Sequence, residues 1–203
     1  MDGEWETEIT AIRRKEIEGC AKFCIRNQCS SPDIWLVFAP IKRLRIDFIA
    51  QKATELGASM LWPVFTEHTA VGRINIERLK SNAIEAAEQS DRLTVPEIGE
   101  PTEFEELLKK WPEERFLFCC DETGGGKPIL QEFQKHTGPS GLLIGPEGGF
   151  SNSELDQLDK LSNVCRVSLG GRVLRSDTAA FAALACWQAS VGDWNISPVR
   201  LKN

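Results

Sequence analysis

The sequence predicts an α/β domain, a mostly parallel sheet with helices on both faces. Three observations carry this. Apolar runs of strand length alternate with helical-period segments from residue 34 to residue 190. The clearest of these runs is continuous rather than alternating, as in strands buried on both sides. Several strand-like runs end in glycine-rich turns that lead into helix-start signals.

Ahead of this domain, Trp5, Thr7, Ile9 and Ala11 alternate with Glu4, Glu6, Glu8 and Thr10, the period of a half-buried strand. A second strand-like run covers residues 20–25. Residues 26–33, with Asn27, Ser30, Ser31 and Pro32, read as a linker. So short a segment cannot close a core alone. It is the end of a β-domain or packs on the rest of the chain.

Ile34, Trp35, Leu36, Val37 and Phe38 form the first buried strand. Ile46, Ile49, Ala50, Ala53 and Leu56 recur at helical spacing, with Gly57 placed as a C-terminal cap. Residues 60–64 give the next strand. Ile76, Leu79, Ala83, Ala86, Ala87 and Ser90 mark a second helix. Thr102-x-x-Glu105 reads as a capping box ahead of Leu107 and Leu108. Residues 116–120 are a third strand, with Cys119 and Cys120 facing opposite sides, and residues 141–145 a fourth. Ser151-x-x-Glu154 is a second capping box, opening a helix with Leu155, Leu158 and Leu161. Residues 164–169 are a fifth strand. Residues 178–189 form an Ala-rich last helix carrying Phe181, Leu184 and Trp187.

Composition narrows the function. The 203 residues carry 24 Lys plus Arg against 30 Asp plus Glu, a net charge of −6. That balance argues against coating nucleic acid non-specifically, but allows a local basic patch to read a shaped RNA. Arg13, Arg14, Lys15, Lys42, Arg43, Arg45 and Arg92 are the cations available for phosphates. With 41% hydrophobic and 27% charged residues, a soluble core of ordinary size is expected. No apolar run is long enough to span a membrane, and the start lacks a secretory signal, so a cytoplasmic protein is expected. Seven scattered cysteines read as reduced, mostly buried thiols. Cys20, Cys24 and Cys29 have no histidine nearby, and no metal is expected. His68 and His136 sit in no ligand pattern, so surface or satisfied positions are expected. The six tryptophans are expected to anchor the core or an interface.

Ligands in parallel sheets bind at the carboxyl ends of strands, and three such ends have unusual chemistry. The segment from Cys120 to Lys127 ends in Gly124-Gly125-Gly126-Lys127, but a phosphate loop needs a glycine at residue 121 and Ser or Thr after the lysine. Asp121 and Pro128 stand there, so a flexible loop at the edge of a ligand site is the reading. In Gly145-Pro146-Glu147-Gly148-Gly149-Phe150, three glycines allow close backbone approach to a ligand, and Glu147 places a carboxylate at the sheet's mouth. In Leu169-Gly170-Gly171-Arg172-Val173-Leu174-Arg175, two arginines precede a helix start that Ser176 or Asp177 could cap. Val173 and Leu174 give this loop an apolar side suited to a flat purine ring.

Residues 144–151 (IGPEGGFS) and 169–179 (LGGRVLRSDTA) closely resemble the 16S rRNA uridine-N3 methyltransferases of the RsmE type, in the SPOUT superfamily. Gln51 to Gly57 (QKATELG) and Glu85 to Arg92 (EAAEQSxR), followed by Val95 and Pro96, are similar to further family segments. The likeness covers roughly residues 34–190. It implies a SPOUT domain over residues 32–203 whose C-terminal part is threaded into a trefoil knot, an arrangement otherwise almost absent. Residues 1–31 would be a remnant of the family's N-terminal PUA-like β-domain, resembling its closing strands. Gly171 stands where the family often has Pro, and Asp177 where Glu is common.

The resemblance further implies S-adenosyl-L-methionine as methyl donor, a homodimer, and a uridine of 16S rRNA in the small ribosomal subunit as substrate. The cofactor-binding residues would be Gly145, Pro146, Glu147, Gly148, Gly149, Leu169, Gly170, Val173, Leu174 and Thr178. Lys52, Glu55, Gln89, Arg92 and Arg172 would meet substrate. Arg175 would stabilise charge developing on the uracil. Glu147, Asp177 or water would take the N3 proton; Glu147 could instead hold the loop or a neighbouring arginine. Two alternatives stand beside this reading: a SPOUT enzyme for another RNA, and a non-catalytic RNA-binding or assembly protein.

Overall fold

The computed structural model describes residues 3–196, apart from the side chains of residues 43 and 44. Strands β1 (Gly3–Ile12) and β2 (Ile17–Asn27) pair as an antiparallel hairpin. The sequence alternation is not carried through it. The register shifts at Glu4/Trp5, Glu6/Thr7 and Ile9/Ala11, and Ile9, Ile12, Ile17 and Phe23 are exposed. Each bulge moves the following residues to the other face. The hairpin meets the rest at its stem, where Arg26 Nη1 donates to the Asp91 carbonyl (3.2 Å) and Gln28 Nε2 to that of Leu93 (3.0 Å).

The remainder of the chain forms the expected α/β sheet. Its strands are β3 (Ile34–Phe38), β4 (Met60–Phe65), β5 (Glu97–Ile98), β6 (Thr102–Glu103), β7 (Phe116–Cys120), β8 (Lys127–Pro128), β9 (Ser140–Ile144) and β10 (Val164–Ser168). They lie in the order β5-β4-β3-β9-β7-β10-β8, with β6 also on β4, and every pairing is parallel. The helices are α1 (Arg43–Glu55), α2 (Ile76–Gln89), α3 (Phe104–Lys110), α4 (Ile129–Phe133), α5 (Asn152–Leu158) and α6 (Ser176–Ser190). Two-residue strands and the five-residue α4 carry too little periodicity to be read from sequence.

Alternate strand residues feed two cores. Ile34, Leu36 and Phe38 of β3 join one core with residues of α1, α2, α4 and α6, while Val37 joins the other with α3 and α5. Cys119 and Cys120 divide in the same way. Phe118 meets Phe133 edge-on at 4.7 Å in the first core; burying such a side chain contributes about 1.5–3 kcal/mol. Trp35, Trp62 and Trp111 cluster on the second, and Arg115 stacks 3.7 Å over Trp35. Trp187 is buried and Trp194 exposed.

Two helix starts differ from expectation. Thr102 makes no cap: it pairs in β6 beside β4, its hydroxyl donates to the Glu100 carbonyl (2.8 Å), and α3 starts behind Glu103. Neither Ser176 nor Asp177 caps α6, because the helix begins at Ser176, two residues before the expected start, with Arg175 at the cap position. The Ser151–Glu154 box forms as read. Gly57 sits just past α1 with φ +88, the left-handed conformation a helix-ending glycine supplies.

Candidate active site

β9, β7 and β10 are neighbours in the sheet, and their carboxyl ends, Ile144, Cys120 and Ser168, open onto one cavity of about 240 Å³. The three unusual segments of the sequence are therefore brought together. Gly145, Pro146 and Gly149 line the cavity from the first glycine loop. Leu169, Gly170, Arg172, Val173 and Leu174 line it from the second. The loop after β7 adds Asp121, Glu122, Thr123 and Gly124. Glu147, Gly148, Thr178 and Arg175 are not among the walls.

Local chemistry explains these loops. The Gly149 N–H donates to the Pro146 carbonyl (3.0 Å), closing a turn that puts Gly149 at φ +68. A Cβ at Gly145 would lie 3.0 Å from the Phe150 ring. Gly126 lets the third loop lie on β10, since a Cβ there would meet the Val167 carbonyl carbon at 2.5 Å. Asp121 is buried and satisfied: it accepts from Thr123 N (2.8 Å) and Thr123 Oγ1 (2.9 Å) and faces Arg166 (3.4 Å). The second loop is open, with nothing within 4 Å of a Cβ at Gly170 or Gly171.

Glu147 is exposed, and its Oε1 lies 3.7 Å from Arg45. Arg45 also lies 3.9 Å from Asp177, so one guanidinium at the start of α1 faces both the first glycine loop and the first turn of α6. Arg175 is exposed at the cap position of α6 and pairs with no carboxylate among the described residues. The Arg43 side chain lies outside the described ones.

Lys52, Glu55, Gln89 and Arg92 are not brought to the cavity. α1 starts at the sheet's carboxyl edge, and Glu55, ten residues beyond Arg45, lies about 15 Å along it. Lys52 pairs with Glu55 (2.7 Å), and Gln89 ends α2, exposed. Arg92 is tied into the amino edge, donating to the carbonyls of Thr54 and Ala58 and to Ser31 and Thr94 hydroxyls. Burial lowers its pKa. Its donors serve the fold of the chain itself.

Sequence reasoning missed Arg45 as a clamp, Glu154 as a bridge and His68 as a loop contact. Glu154 was legible as a cap, but its Oε1 also accepts from Glu67 N (2.9 Å), a contact across 87 residues. His68 had no local signal at all.

The cavity's chemistry is that of binding rather than covalent attack. Burial, with a smaller push from Cys186, raises the Cys120 thiol to about 12, so no thiolate lines the wall near neutral pH. Among the described residues no group of three His, Cys, Asp or Glu could hold a metal, and no helix is long and apolar enough to cross a membrane. Apolar walls from Ile144, Leu169 and Leu174 suit a flat heterocycle.

A parallel sheet whose neighbouring strand ends share one such cavity defines the class, an α/β ligand-binding domain with its site at the carboxyl edge. Residues 28–188 match the family model of the RNA methyltransferase domain. Ribosomal RNA small subunit methyltransferase E of Rickettsia conorii is 32% identical over 185 residues, 91% of this chain and 75% of that one. The Synechocystis protein of that name is 30% identical over 90% of this chain and 61% of its own length. The crystal structure of the Neisseria gonorrhoeae enzyme bound to S-adenosyl methionine is 30% identical, with a TM-score of 0.82 over 93% of this chain and 79% of that one. The chain belongs to the RNA methyltransferase family, in its RsmE-type branch.

Proposed function

We propose that this chain transfers a methyl group from S-adenosyl-L-methionine to N3 of a uridine in 16S rRNA, as a cytoplasmic homodimer. The observation that supports this most is the single cavity beneath the two glycine loops. The residues fit the cofactor: apolar walls would take the adenine, and Gly170, with nothing within 4 Å of a Cβ, leaves open space beside it. When bound, the sulfonium supplies an activated methyl group.

The chain's own residues do the rest. The loops hold the donor so that the uracil meets it in line, and orientation of this kind supplies about 7–11 kcal/mol. Arg175, exposed beside the cavity, stabilises negative charge on a uracil carbonyl oxygen as the N3 proton leaves, worth about 2.7–4 kcal/mol. Arg172 at the rim meets the RNA. Glu147 anchors its loop through Arg45, and the proton goes to water. Lys52, Glu55 and Gln89 meet RNA bound to the partner protomer. N3 lies on the pairing edge, so the uridine is swung out of any duplex.

The same reading assigns residues 32–203 to a SPOUT domain threaded as a trefoil knot, with residues 1–31 from a PUA-like domain. The placing of β7 between β9 and β10, with α6 returning to α1, α4 and β9, is consistent with such threading. The test is methyl transfer to small ribosomal subunits lacking the mark, followed by mapping of the base. N3-methyluridine in 16S rRNA is expected. Label in tRNA instead, or none in the ribosomal particles, overturns the proposal.

A further inference from the structure

His68 comes after β4 and lies against the first glycine loop. Its Nδ1 is 3.1 Å from the Gly148 carbonyl oxygen and 3.2 Å from that of Gly149. Carbonyl oxygens only accept, so Nδ1 carries the proton and donates to both, which leaves the Nε2 lone pair free in the neutral ring. Contact is also steric: a Cβ at Gly148 would sit 3.1 Å from the His68 Cβ. Gly148 is not in the left-handed region, so the room it leaves for His68 is what glycine supplies there. One residue earlier, Glu67 N donates to Glu154 Oε1, and Glu154 Oε2 accepts from Ser151 N (2.8 Å). The loop after β4 therefore grips the segment from Gly148 to Ser151 at two points.

The segment has two sides. Gly149 and Phe150 line the cavity, whereas His68 and Gly148 do not. A trans peptide sets C=O and N–H in opposite directions. Holding the Gly149 carbonyl on His68 turns the Phe150 N–H away from His68.

We propose that His68 is a positioning residue, which fixes the Gly148–Gly149 peptides through Nδ1 and so sets the loop for the adenosyl ligand. This rests on the methyl-donor reading of the cavity. It assigns His68 no contact with substrate.

The test uses His68→Ala, His68→Asn and His68→Gln in the full chain. An Asn amide sits at the branch position of Nδ1, and a Gln amide reaches that of Nε2. Amide hydrogen exchange across residues 148–151 reads the latch without any ligand. Calorimetry with S-adenosyl-L-methionine reads its consequence. His68→Ala is expected to speed exchange and weaken binding by about 2- to 12-fold, the span of one neutral hydrogen bond. His68→Asn restores both and His68→Gln does not. Unchanged exchange in His68→Ala, or rescue by Gln and not Asn, overturns the proposal. If the wild-type chain binds no S-adenosyl-L-methionine, the methyl-donor reading fails instead, and the latch is judged on exchange alone. A circular-dichroism melt matching wild type shows that each variant is folded.

Discussion

Arg45 and Glu147 face each other at 3.7 Å, and the same guanidinium lies 3.9 Å from Asp177. The first glycine loop and the start of α6 are thus joined by a cation on a third element. These groups are partly exposed, so the bridge adds at most about 1 kcal/mol to stability. Its value is geometric. Glu147→Gln is expected to keep methyl transfer to small subunits within about threefold, a loss of roughly 0.7 kcal/mol. A loss of about 100-fold or more would make Glu147 the proton acceptor.

Arg175 tests the other half of the proposed chemistry. It is exposed and is not a wall of the cavity. Arg175→Ala is expected to leave cofactor binding by calorimetry within about twofold and to lower turnover about 100- to 1,000-fold. Turnover within about threefold of wild type would remove it from the mechanism.

Glu154 is buried and satisfies the N–H groups of Glu67 and Ser151. Glu154→Ala strands both donors and removes half of a capping box. Urea unfolding is expected to show a loss of about 1–3 kcal/mol. Glu154→Gln, which keeps one acceptor, is expected to lose less.

Two glycines make a matched pair. A Cβ at Gly126 would meet backbone atoms of Val167 and Ser168 within 2.9 Å, and backbone cannot swing aside. Gly126→Ala is expected to cost about 1–3 kcal/mol and to loosen β8 from β10. Gly138 has nothing within 4 Å, and Gly138→Ala should stay within about 0.5 kcal/mol of wild type.

The two thiols of β7 set an alkaline limit. Burial raises Cys120 from 9.0 to about 12 and pushes Cys119 well above its ordinary value. In that window the native chain keeps protons that the unfolded chain has lost. Stability is then fully present below about pH 9 and falls as pH rises towards 12. Urea midpoints at about pH 8 and about pH 10 check the sign, and Cys120→Ala should flatten the slope.

The fold was legible where burial writes itself into continuous runs. Phe116–Cys120 was read to the residue, and Ser151 with Glu154 announced its helix. Features that depend on neighbours distant in the chain were not legible. Thr102 looks like a cap until β4 claims it as a strand residue. Ile9 looks inward-facing until the hairpin bulges turn it out. In the site, the glycine loops announced themselves because close approach demands a residue type. Arg45 and His68 did not, because an arginine or histidine has many ordinary reasons to be present, and only packing shows which neighbour it meets. The hydrogen bonds of Arg92 to Thr54, Ala58, Ser31 and Thr94 were not legible for the same reason, since nothing local says which edge of the sheet it joins.

The strands that end on the cavity finish at residues 120, 144 and 168, and the middle one in space comes first in the chain. No short stretch holds a working part of the pocket. A growing polypeptide leaving the ribosome has no ligand site until all three of these strands and the loop after residue 168 have emerged, so the pocket arrives all at once.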